Sequence, residues 1–449
     1  MTGRVSFVSQ HSPALHHQPL RAKKGGSTSL LESWLLIMLF PMNKRFSTAV
    51  ILLAWAVSFV PSAWADPIQL RPAQTLQLNG SPLGYGTTFA VPCVADWNRD
   101  GRKDLLVGYQ LAGKIALYLN SGSDAQPVFT SVSNLQYHDP ANGWTDIVHV
   151  SPGNCGAPAP WVCDFDADGK PDLLVGDGAN GCVYFYRNTN PDANAAPLLA
   201  PGVRLKVGTN DLTVGFRATP YVCDWDGDGL QDLLCGDFNG YVWFFKNTNT
   251  AQVPVFAPGV KIQAGGADLC LAGSLGGVGR SVVRAFDWDG DGLRDLVCSS
   301  DGGVYWCRNT NSNSNPILQA PVTMCIPATN SLVPILTRPV SGARMRIDLA
   351  DWNDDGVMDL LLGDYSGKVY YFEGYRFAVT SATTQPGGQL VLQWDSATNL
   401  NYNILLGNLC PTNADWGLAV TNLPSQGNTT AWTNQMQGGQ QFFRIQIAK

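Results

Sequence analysis

The sequence contains very little glutamate and histidine, and this scarcity limits its chemistry. Only two of the 35 acidic residues, Glu32 and Glu373, are glutamate, so the other 33 are aspartate. Of five histidines, only His138 and His149 follow residue 65. No G-x-S-x-G, H-E-x-x-H or phosphate-binding glycine motif occurs. The chain therefore lacks the common sequence signatures of serine hydrolases, zinc proteases and P-loop NTPases.

Sustained helical periodicity is also missing after residue 66. No apolar run there reaches the roughly 20 residues that a membrane-spanning helix needs, so we predict no membrane span in the mature chain. A chain poor in Glu and rich in Gly, Asn and Thr favours strands and turns, which predicts an all-β protein. The 29 basic residues are outnumbered by 35 acidic ones, which argues against a nucleic-acid-binding face.

The N-terminal region has the features of a secretory signal. A basic start at Met42-Asn-Lys44-Arg45 precedes an apolar stretch over 48–60 and the small-x-small motif Ala63-Trp64-Ala65. We predict a signal peptide at 42–65, with 1–41 as an upstream extension before the true start. Removing residues 1–65 takes away six basic residues and one acidic residue, which leaves 23 and 34 and a net charge of −11. The expected location is secreted, periplasmic or at the cell surface.

A nine-residue acidic loop recurs five times along the chain. The first copy is Asp96-Trp-Asn98-Arg-Asp100-Gly-Arg-Lys-Asp104, and the others start at Asp164, Asp224, Asp287 and Asp351. The steps between starts are 68, 60, 63 and 64 residues. A near-constant period of this size predicts stacked or ringed structural units.

Each loop has the ligand pattern of a calcium site, with oxygen-bearing side chains at positions 1, 3, 5 and 9 and glycine at position 6. By analogy with EF-hand loops, the main-chain carbonyl at position 7 adds a further oxygen. The predicted ligands are Asp96, Asn98, Asp100, Arg102, Asp104; Asp164, Asp166, Asp168, Lys170, Asp172; Asp224, Asp226, Asp228, Leu230, Asp232; Asp287, Asp289, Asp291, Leu293, Asp295; and Asp351, Asn353, Asp355, Val357, Asp359.

About five calcium ions are therefore expected, and they would bring the mature charge close to neutral. We expect weaker binding in the first and fifth loops, because Asn98 and Asn353 remove one charge each. The alternative is a set of solvated Asp-Gly turns. Five copies in register with hydrophobic strands favour the metal interpretation.

The repeat predicts the blade of a β-propeller. A short apolar strand precedes each loop, a second follows it, an aromatic strand such as Val242-Trp-Phe-Phe comes third, and a looser strand comes fourth. Residues 69–78 have the character of a fourth strand, whereas the last unit ends after its third strand at Gly374. We therefore predict five blades in 66–374, with the N-terminal strand completing the last one. The alternative is an irregular extra blade within 120–160.

An aromatic residue follows the first Asp of every loop. We expect these side chains to form the core between blades rather than to stack on sugars. They are Trp97, Phe165, Trp225, Trp288 and Trp352.

The motif D-x-[DN]-x-D-G-x-x-D-L followed by an aromatic hairpin, as in Asp224-Trp-Asp-Gly-Asp-Gly-Leu-Gln-Asp-Leu233, resembles the FG-GAP/VCBS repeat family. The resemblance covers about two-thirds of the chain. It implies a calcium-bearing propeller similar in build to the head of integrin α-chains, with calcium loops on one face and partners often on the opposite face. It implies no catalytic residue. The first repeat departs from the pattern, with Gly108-Tyr109 where Gly-Asp is expected.

Residues 375–449 contain alternating runs whose spacing suits a small β-sandwich, weakly similar to fibronectin-III-like modules. Eleven cysteines in an exported chain suggest some disulfides, and Cys223 and Cys235, which flank one loop, could face each other. The alternative is that several are buried free thiols.

Three functions remain open at this point. The first is a secreted binding or adhesion module for a glycan or an extracellular protein. The second is a carbohydrate-active enzyme, a polysaccharide lyase or hydrolase, for which His138 and His149 are the available candidates. The third is a scaffold in an extracellular assembly. Fold alone does not rank them.

Overall fold

The computed structural model describes residues 67–84, 89–110, 113–149, 157–271, 279–328, 331–335, 345–376, 379–385, 389–397, 400–407, 417–435 and 442–447. The predicted upstream extension and signal peptide lie outside these ranges. Every regular element within them is a β-strand. No helix long and apolar enough to cross a membrane occurs in the described part of the chain.

Five four-stranded antiparallel sheets form the blades of a five-bladed β-propeller. In each blade the strands are named inner, second, third and outer, counted from the axis of the ring. The inner strands of blades 1 to 5 are Ala90–Ala95, Ala159–Cys163, Thr219–Cys223, Val282–Phe286 and Arg346–Ala350. The second strands are Asp104–Tyr109, Asp172–Gly176, Asp232–Gly236, Asp295–Ser300 and Asp359–Gly363. The third strands are Lys114–Tyr118, Val183–Tyr186, Val242–Phe245, Gly303–Cys307 and Val369–Phe372. The outer strands are Ser133–Asn134, Val203–Arg204, Val260–Lys261, Val322–Thr323 and Gln74–Thr75.

The ring is closed by the N-terminal strand, as predicted. Gln74 and Thr75 pair antiparallel with Tyr371 and Tyr370, so a strand that precedes blade 1 in the sequence supplies the outer strand of blade 5. Gln69–Leu70 also pairs with Gly374–Tyr375. The 120–160 connection holds the outer strand of blade 1 and one hairpin rather than an extra blade.

The outer edges of the blades are very short. Each outer strand has only two residues and leads into a small hairpin. These hairpins are Gln77–Leu78 with Ser81–Pro82, Gln136–Asp139 with Gly143–Asp146, Lys206–Val207 with Asn210–Asp211, Gln263–Ala264 with Ala267–Asp268, and Cys325–Ala328 with Ser331–Pro334. Short edge strands offer little backbone to a neighbouring molecule, which limits edge-to-edge association.

The hydrophobic core lies between consecutive blades. Five buried clusters each combine side chains of two neighbouring sheets, and each contains the aromatic residue that follows the first Asp of a loop. The five aromatics are between 2% and 5% exposed, which confirms the predicted core role. They are Trp97, Phe165, Trp225, Trp288 and Trp352.

Glycine at the end of the second strand permits close packing of adjacent blades. A Cβ on Gly176 would lie 2.0 Å from the carbonyl oxygen of Ala218, and one on Gly236 would lie 2.2 Å from that of Ser281. Blade 4 has Ser299 at this position, and its hydroxyl donates a hydrogen bond to the Met345 carbonyl oxygen at 3.0 Å.

The axis of the ring is filled by side chains of the inner strands. Arg284 and Asp348 form a buried ion pair with Nε to Oδ1 at 2.6 Å. The other carboxylate oxygen accepts the backbone N–H of Val94 at 2.7 Å. The Arg284 guanidinium lies 4.7 Å from the ring centre of Trp161 and 5.3 Å from that of Tyr221. All five blades thus contribute to one layer that blocks the axis.

Two three-stranded sheets follow the propeller. Val379–Gln385, Gln389–Asp395 and Thr429–Gln435 form one, and Gly417–Pro424, Asn401–Gly407 and Phe442–Ile447 form the other. Trp394 and Leu392 of the first sheet share a buried cluster with Tyr402 and Ile445 of the second. Arg71 links this part to blade 5, since it pairs with Glu373 at 2.9 Å and donates to the Ser396 carbonyl at 2.5 Å.

The cysteines of the described segments are free thiols, nine in all. Cys223 stands opposite Asp232, and Cys235 stands opposite Pro220, so the idea that these two cysteines face each other across the hairpin is wrong. Cys223 pairs next to the acidic loop, whereas Cys235 pairs farther from the loop along the same hairpin, so the strand register keeps the two cysteines apart. Cys155 and Cys410 lie outside the described residues.

Candidate functional site

All five acidic loops lie at the same end of the ring. In every blade the inner strand ends one residue before the first Asp, and the second strand begins at the last Asp. The glycine at position 6 has φ between 84° and 87° in each copy, the left-handed region that glycine adopts without strain. Glycine at this position therefore permits the sharp turn of each loop.

Backbone amides fold each loop around its own carboxylates. In loop 3, Asp224 Oδ2 accepts the N–H of Gly229 at 3.2 Å, and Asp228 Oδ1 accepts that of Leu230 at 2.9 Å. The same two bonds recur in the other four loops at 2.8 to 3.1 Å. Aspartates at positions 1 and 5 therefore shape the turn as well as supply oxygens.

The last Asp of each loop joins the loop to the blade. Asp232 is fully buried, and its two carboxylate oxygens accept the N–H groups of Trp225 at 3.1 Å and Asn247 at 2.8 Å. Equivalent pairs of bonds exist at the other four copies. Burial raises the pKa of Asp172 and Asp232 to about 6, and those of Asp295 and Asp359 to about 7. A nearby divalent cation would act in the opposite direction and favour the ionised form.

Loops 2, 3 and 4 bring three carboxylates together. Oxygen atoms within 4.8 Å of one another come from Asp164, Asp166 and Asp172, from Asp224, Asp226 and Asp232, and from Asp287, Asp289 and Asp291. Four of the oxygens in these loops are buried and accept no hydrogen bond, namely Oδ1 of Asp166, Asp224, Asp226 and Asp287. Buried anionic oxygens without a partner are costly, and a hard cation is the partner that such a set suits. These three loops therefore fit a calcium ion.

Loops 1 and 5 are arranged differently, because their position-3 asparagines satisfy the loop internally. Asn98 Nδ2 donates to Asp100 Oδ2 at 2.9 Å, and Asn353 Nδ2 donates to Asp355 Oδ2 at 3.0 Å. In loop 1, Arg102 also donates to Asp100 and lowers the pKa of that carboxyl to about 2. Fewer carboxylates and more internal hydrogen bonds agree with the expectation of weaker sites, which stays a prediction.

A basic residue directly after the third strand contacts the carboxylates of each loop that has four aspartates. Arg187 Nε lies 2.6 Å from Asp166 Oδ2, Arg308 Nε lies 2.5 Å from Asp289 Oδ2, and Lys246 contacts both Asp226 and Asp228. We call these three side chains the cationic arms. The equivalent positions in blades 1 and 5 are Leu119 and Glu373, so an arm occurs where position 3 is Asp and is missing where it is Asn.

The cationic arms were missed in the sequence analysis. Their signal is the basic residue directly before Asn-Thr-Asn in Arg187-Asn188, Lys246-Asn247 and Arg308-Asn309. Four aspartates and one arm carry the same formal charge as three aspartates and one asparagine. The loops are therefore more alike in charge than their aspartate counts suggest.

The opposite end of the ring carries a cavity of different character. It is lined by Phe89, Val91, Ala157, Arg217, Ala218, Thr219, Arg280, Ser281 and Arg346, and its empty space is about 350 Å³ with the solvent above it included. Arg217 and Arg280 precede inner strands, and Arg346 begins one. Because inner strands of five residues rise about 3.3 Å per residue, the cavity and the acidic loops are roughly 17 Å or more apart.

Recurring aspartates at this second end are turn residues. Asp177 Oδ1 accepts the N–H of Ala179 at 2.9 Å, and Asp364 Oδ1 accepts that of Ser366 at 2.9 Å. Asp237 accepts the N–H of Tyr241 at 2.8 Å and the indole N–H of Trp243 at 3.0 Å. Their side chains hold the turn between the second and third strands, as expected for Asp at such positions.

The two histidines lie away from the cavity lining. His149 is buried, with Nε2 2.9 Å from the Tyr186 hydroxyl and its ring 4.5 Å from that of Tyr184. Burial lowers the pKa of His149. His138 packs edge-on against Trp144 on the hairpin after blade 1. The candidates that the enzyme hypothesis depended on are therefore not brought together at this site.

The closed ring of five four-stranded sheets makes this protein a β-propeller, and its acidic loops lie at one end of the ring. A family model described as FG-GAP-like repeat matches residues 287–362, from the acidic loop of blade 4 to the second strand of blade 5. The match and the five-bladed arrangement support a propeller built of FG-GAP-like repeats.

Similar solved structures are remote. The chain is similar to BBS1N in a crystal structure of its complex with ARL6DN soaked with lead, at 13% identity and a TM-score of 0.30, with 74% of this chain and 94% of that chain covered. It is also similar to an exo-beta-1,3-galactanase from Phanerochaete chrysosporium in complex with beta-1,3-galactotriose, at 8% identity and a TM-score of 0.29, with 85% and 98% covered. At these scores the likenesses carry no functional argument.

Proposed function

We propose that this protein is an exported, calcium-stabilised binding module that holds a glycan or an extracellular protein. The observation that carries the proposal is the division of the ring into two unlike ends. One end has carboxylate loops suited to a cation, and the other has a cavity whose lining includes three arginines and Phe89. Calcium at the first end would fix the connections between inner and second strands, and the second end would receive the partner.

The chemistry of the cavity supports binding rather than catalysis. Its charged lining side chains, among the residues that the structure describes, are three arginines. Arginine stays protonated in proteins and donates hydrogen bonds in a fixed plane, so it suits anion recognition better than proton transfer. The hydroxyl of Thr219 donates to the Ser281 carbonyl at 2.8 Å, a structural bond between blades.

Calcium would act on stability through mass action. An ion that binds only the folded state stabilises it by about 2.7 kcal/mol per site at a hundredfold excess over its dissociation constant. The unpartnered carboxylate oxygens of loops 2 to 4 support these loops as the stronger sites. The exported location supports occupancy, because extracellular calcium sites work at roughly millimolar calcium.

Two experiments test the proposal. Calcium-loaded protein would be screened on a glycan array and in a pull-down from extracellular material, with chelated protein as the control. If the calcium-loaded protein binds nothing in either screen, the binding function is contradicted. Mass spectrometry of protein exported by a bacterial host should find Asp66 at the N-terminus. A different terminus or failure of export counts against the location.

A further inference from the structure

The eighth residue of the acidic loop is not a ligand position in the motif, yet in two blades its side chain reaches the loop of a neighbouring blade. Arg294 is position 8 of loop 4, and its guanidinium donates a hydrogen bond to the main-chain carbonyl oxygen of Asp224, the first residue of loop 3. Arg294 Nη2 also lies 3.8 Å from Asp224 Oδ2. Blades 3 and 4 share one buried core cluster, so a single side chain connects the calcium loops of two adjacent blades.

A second side chain holds Arg294 in this position. Asn313 Oδ1 accepts the backbone N–H of Arg294 at 2.6 Å, and Asn313 Nδ2 donates to the Gly292 carbonyl oxygen at 3.0 Å. The backbone of Asn313 also lies against loop 3, because a Cβ on Gly227 would be 3.3 Å from the Asn313 carbonyl group. Arg294 and Asn313 therefore join loops 3 and 4 by several separate contacts.

Blade 1 repeats this arrangement toward blade 5. Lys103 is position 8 of loop 1, its backbone N–H donates to Asp124 Oδ1 at 2.7 Å, and its ammonium group contacts Asp354 of loop 5. Asp124 and Asn313 are equivalent, since each comes four residues after the buried asparagine that follows the third strand. In both blades a basic side chain at position 8 therefore extends to the loop of the preceding blade. Position 8 is uncharged in the other three loops, where it is Pro171, Gln231 and Met358.

Arg294 contacts loop 3 without occupying the oxygen that is available to a cation. Asp224 Oδ2 accepts the N–H of Gly229 at 3.2 Å, whereas Asp224 Oδ1 is buried and accepts no hydrogen bond. Lys246 differs, because its ammonium group contacts two carboxylates of the same loop directly. Of the two cations beside loop 3, Lys246 takes ligand oxygens and Arg294 fixes the main chain of a ligand residue.

We infer that Arg294 couples the calcium sites of loops 3 and 4, so that each loop binds calcium more tightly when the other is filled. The inference rests on the calcium binding of the proposed function and adds its regulation. Leu293, whose carbonyl is the predicted position-7 ligand of loop 4, directly precedes Arg294. Leu293 and Arg294 lose conformational freedom when loop 4 is filled, so less entropy is lost when Arg294 then holds Asp224 in place for binding at loop 3. Thermodynamic linkage makes the effect equal in both directions.

Hydrogen–deuterium exchange of the full chain, titrated with calcium after chelation, tests the coupling. Peptides covering 224–232 and 287–295 give the half-saturating calcium concentrations of loops 3 and 4 separately. Asp289→Asn combined with Asp291→Asn should empty loop 4, because two charges are removed and the cationic arm Arg308 remains. In that variant the half-saturating concentration of loop 3 should rise about fivefold, the lower end of typical couplings between sites.

The matched control removes the same two charges on the other side of loop 3. Asp166→Asn combined with Asp168→Asn empties loop 2, which also has four aspartates and an arm, Arg187. Position 8 of loop 3 is Gln231, which has no charge to extend toward loop 2. The half-saturating concentration of loop 3 should therefore stay constant in the control. An equal rise in both variants would show a long-range effect of charge and overturn the inference, and so would no rise in either.

Arg294→Gln separates positioning from repulsion. Loss of the guanidinium should raise the half-saturating concentration of loop 3 about fivefold, and emptying loop 4 in this background should raise it no further. A fall in that concentration would show that Arg294 only repels the ion, and it would overturn the inference. Should Arg294→Gln not fold, the comparison of emptied loop 4 with emptied loop 2 in chains that keep Arg294 still decides.

The inference and the proposed function fail separately. Loops that fill with calcium independently of one another overturn the coupling and leave the calcium-stabilised binding module standing. Exchange that does not depend on calcium in any loop contradicts both the coupling and the metal assignment. Failure of both partner screens contradicts the binding function and has no bearing on the coupling of the loops.

Discussion

Replacing Lys246 by methionine tests whether the cationic arms compete with calcium. Lys246 contacts the carboxylates of Asp226 and Asp228, two predicted ligands of loop 3, with Nζ 2.7 Å from Asp228 Oδ2. These contacts lower the pKa of Asp228 and raise that of Lys246. A calcium ion at this loop must share the carboxylates with the ammonium group or displace it. Lys246→Met should therefore increase the calcium affinity of loop 3.

The size of the effect follows from charge and exposure. The Lys246 side chain is 39% exposed, so the dielectric constant of water is the appropriate reference. Two unit charges about 4 Å apart in water interact by about 1 kcal/mol, which doubles to about 2 kcal/mol for a divalent ion. Screening by salt at physiological strength reduces this to about 1–2 kcal/mol. The expected gain in calcium affinity is about 5- to 30-fold.

Hydrogen–deuterium exchange with mass spectrometry measures calcium binding at each loop separately. The N–H groups of Gly229 and Leu230 bond to Asp224 and Asp228, so peptides covering 224–232 should gain protection as calcium binds. The calcium midpoint is the calcium concentration at which protection of a peptide is half complete. In Lys246→Met the midpoint of the 224–232 peptides should fall. The midpoint of peptides covering 96–104 should not change, because blade 1 has Leu119 in place of a cationic arm.

The matched control is Lys206→Met. Lys206 pairs with Asp211 at 3.0 Å on an outer hairpin away from the acidic loops, so its loss should leave every calcium midpoint unchanged. A loop 3 midpoint that stays constant or moves to higher calcium in Lys246→Met refutes the competition. It would mean that the ion and the ammonium group occupy the loop without opposing each other.

Three further predictions address the loops and the buried histidine. Chelation should lower the melting temperature and added calcium should raise it again, because each bound ion stabilises the folded state by about 2.7 kcal/mol at a hundredfold excess over its dissociation constant. A melting temperature that does not depend on calcium contradicts the metal assignment. Asp228→Ala should lower stability in calcium by about 1 kcal/mol or more, whereas Asp268→Ala, which removes a hairpin carboxylate 3.5 Å from Lys261, should change it by less than about 0.5 kcal/mol; equal losses argue against a special role for loop 3. Because burial lowers the pKa of His149, the fold favours its neutral form, so its contribution is present at neutral pH and is lost as pH falls below about 6.5. The melting temperature should therefore drop more between pH 7.5 and pH 5 in the unaltered protein than in His149→Gln; parallel curves would show that His149 does not contribute.

The repeat, the loops and the closing strand could be predicted from sequence because their signals are local or periodic. Positions 1, 3, 5, 6 and 9 lie within one turn, so the ligand pattern and the role of Gly229 follow from nine residues. The aromatic core residue Trp225 follows from the alternation of side chains next to the loop. The missing fourth strand at the end of the array predicts that residues 69–78 complete the last blade, and the pairing of Gln74 with Tyr371 confirms it.

The hydrogen-bond and ion-pair partners of these loops could not be predicted from the sequence. Asp232 looks like one more ligand in the motif, yet both of its oxygens accept backbone N–H groups within the blade. Lys246 lies 18 residues from Asp228 along the chain and reaches it through the third strand. Cys223 and Cys235 look like facing partners, and the strand register separates them.

By itself, the sequence determined an all-β array of five units with acidic loops, because turn chemistry and strand alternation act over a few residues. Only the tertiary structure decided what stands at the axis. Arg217, Arg280 and Arg346 lie more than 60 residues apart along the chain and meet because closing the ring brings the starts of the inner strands to one point. Local patterns fix the units, and the closure of the ring fixes which side chains of different units become neighbours.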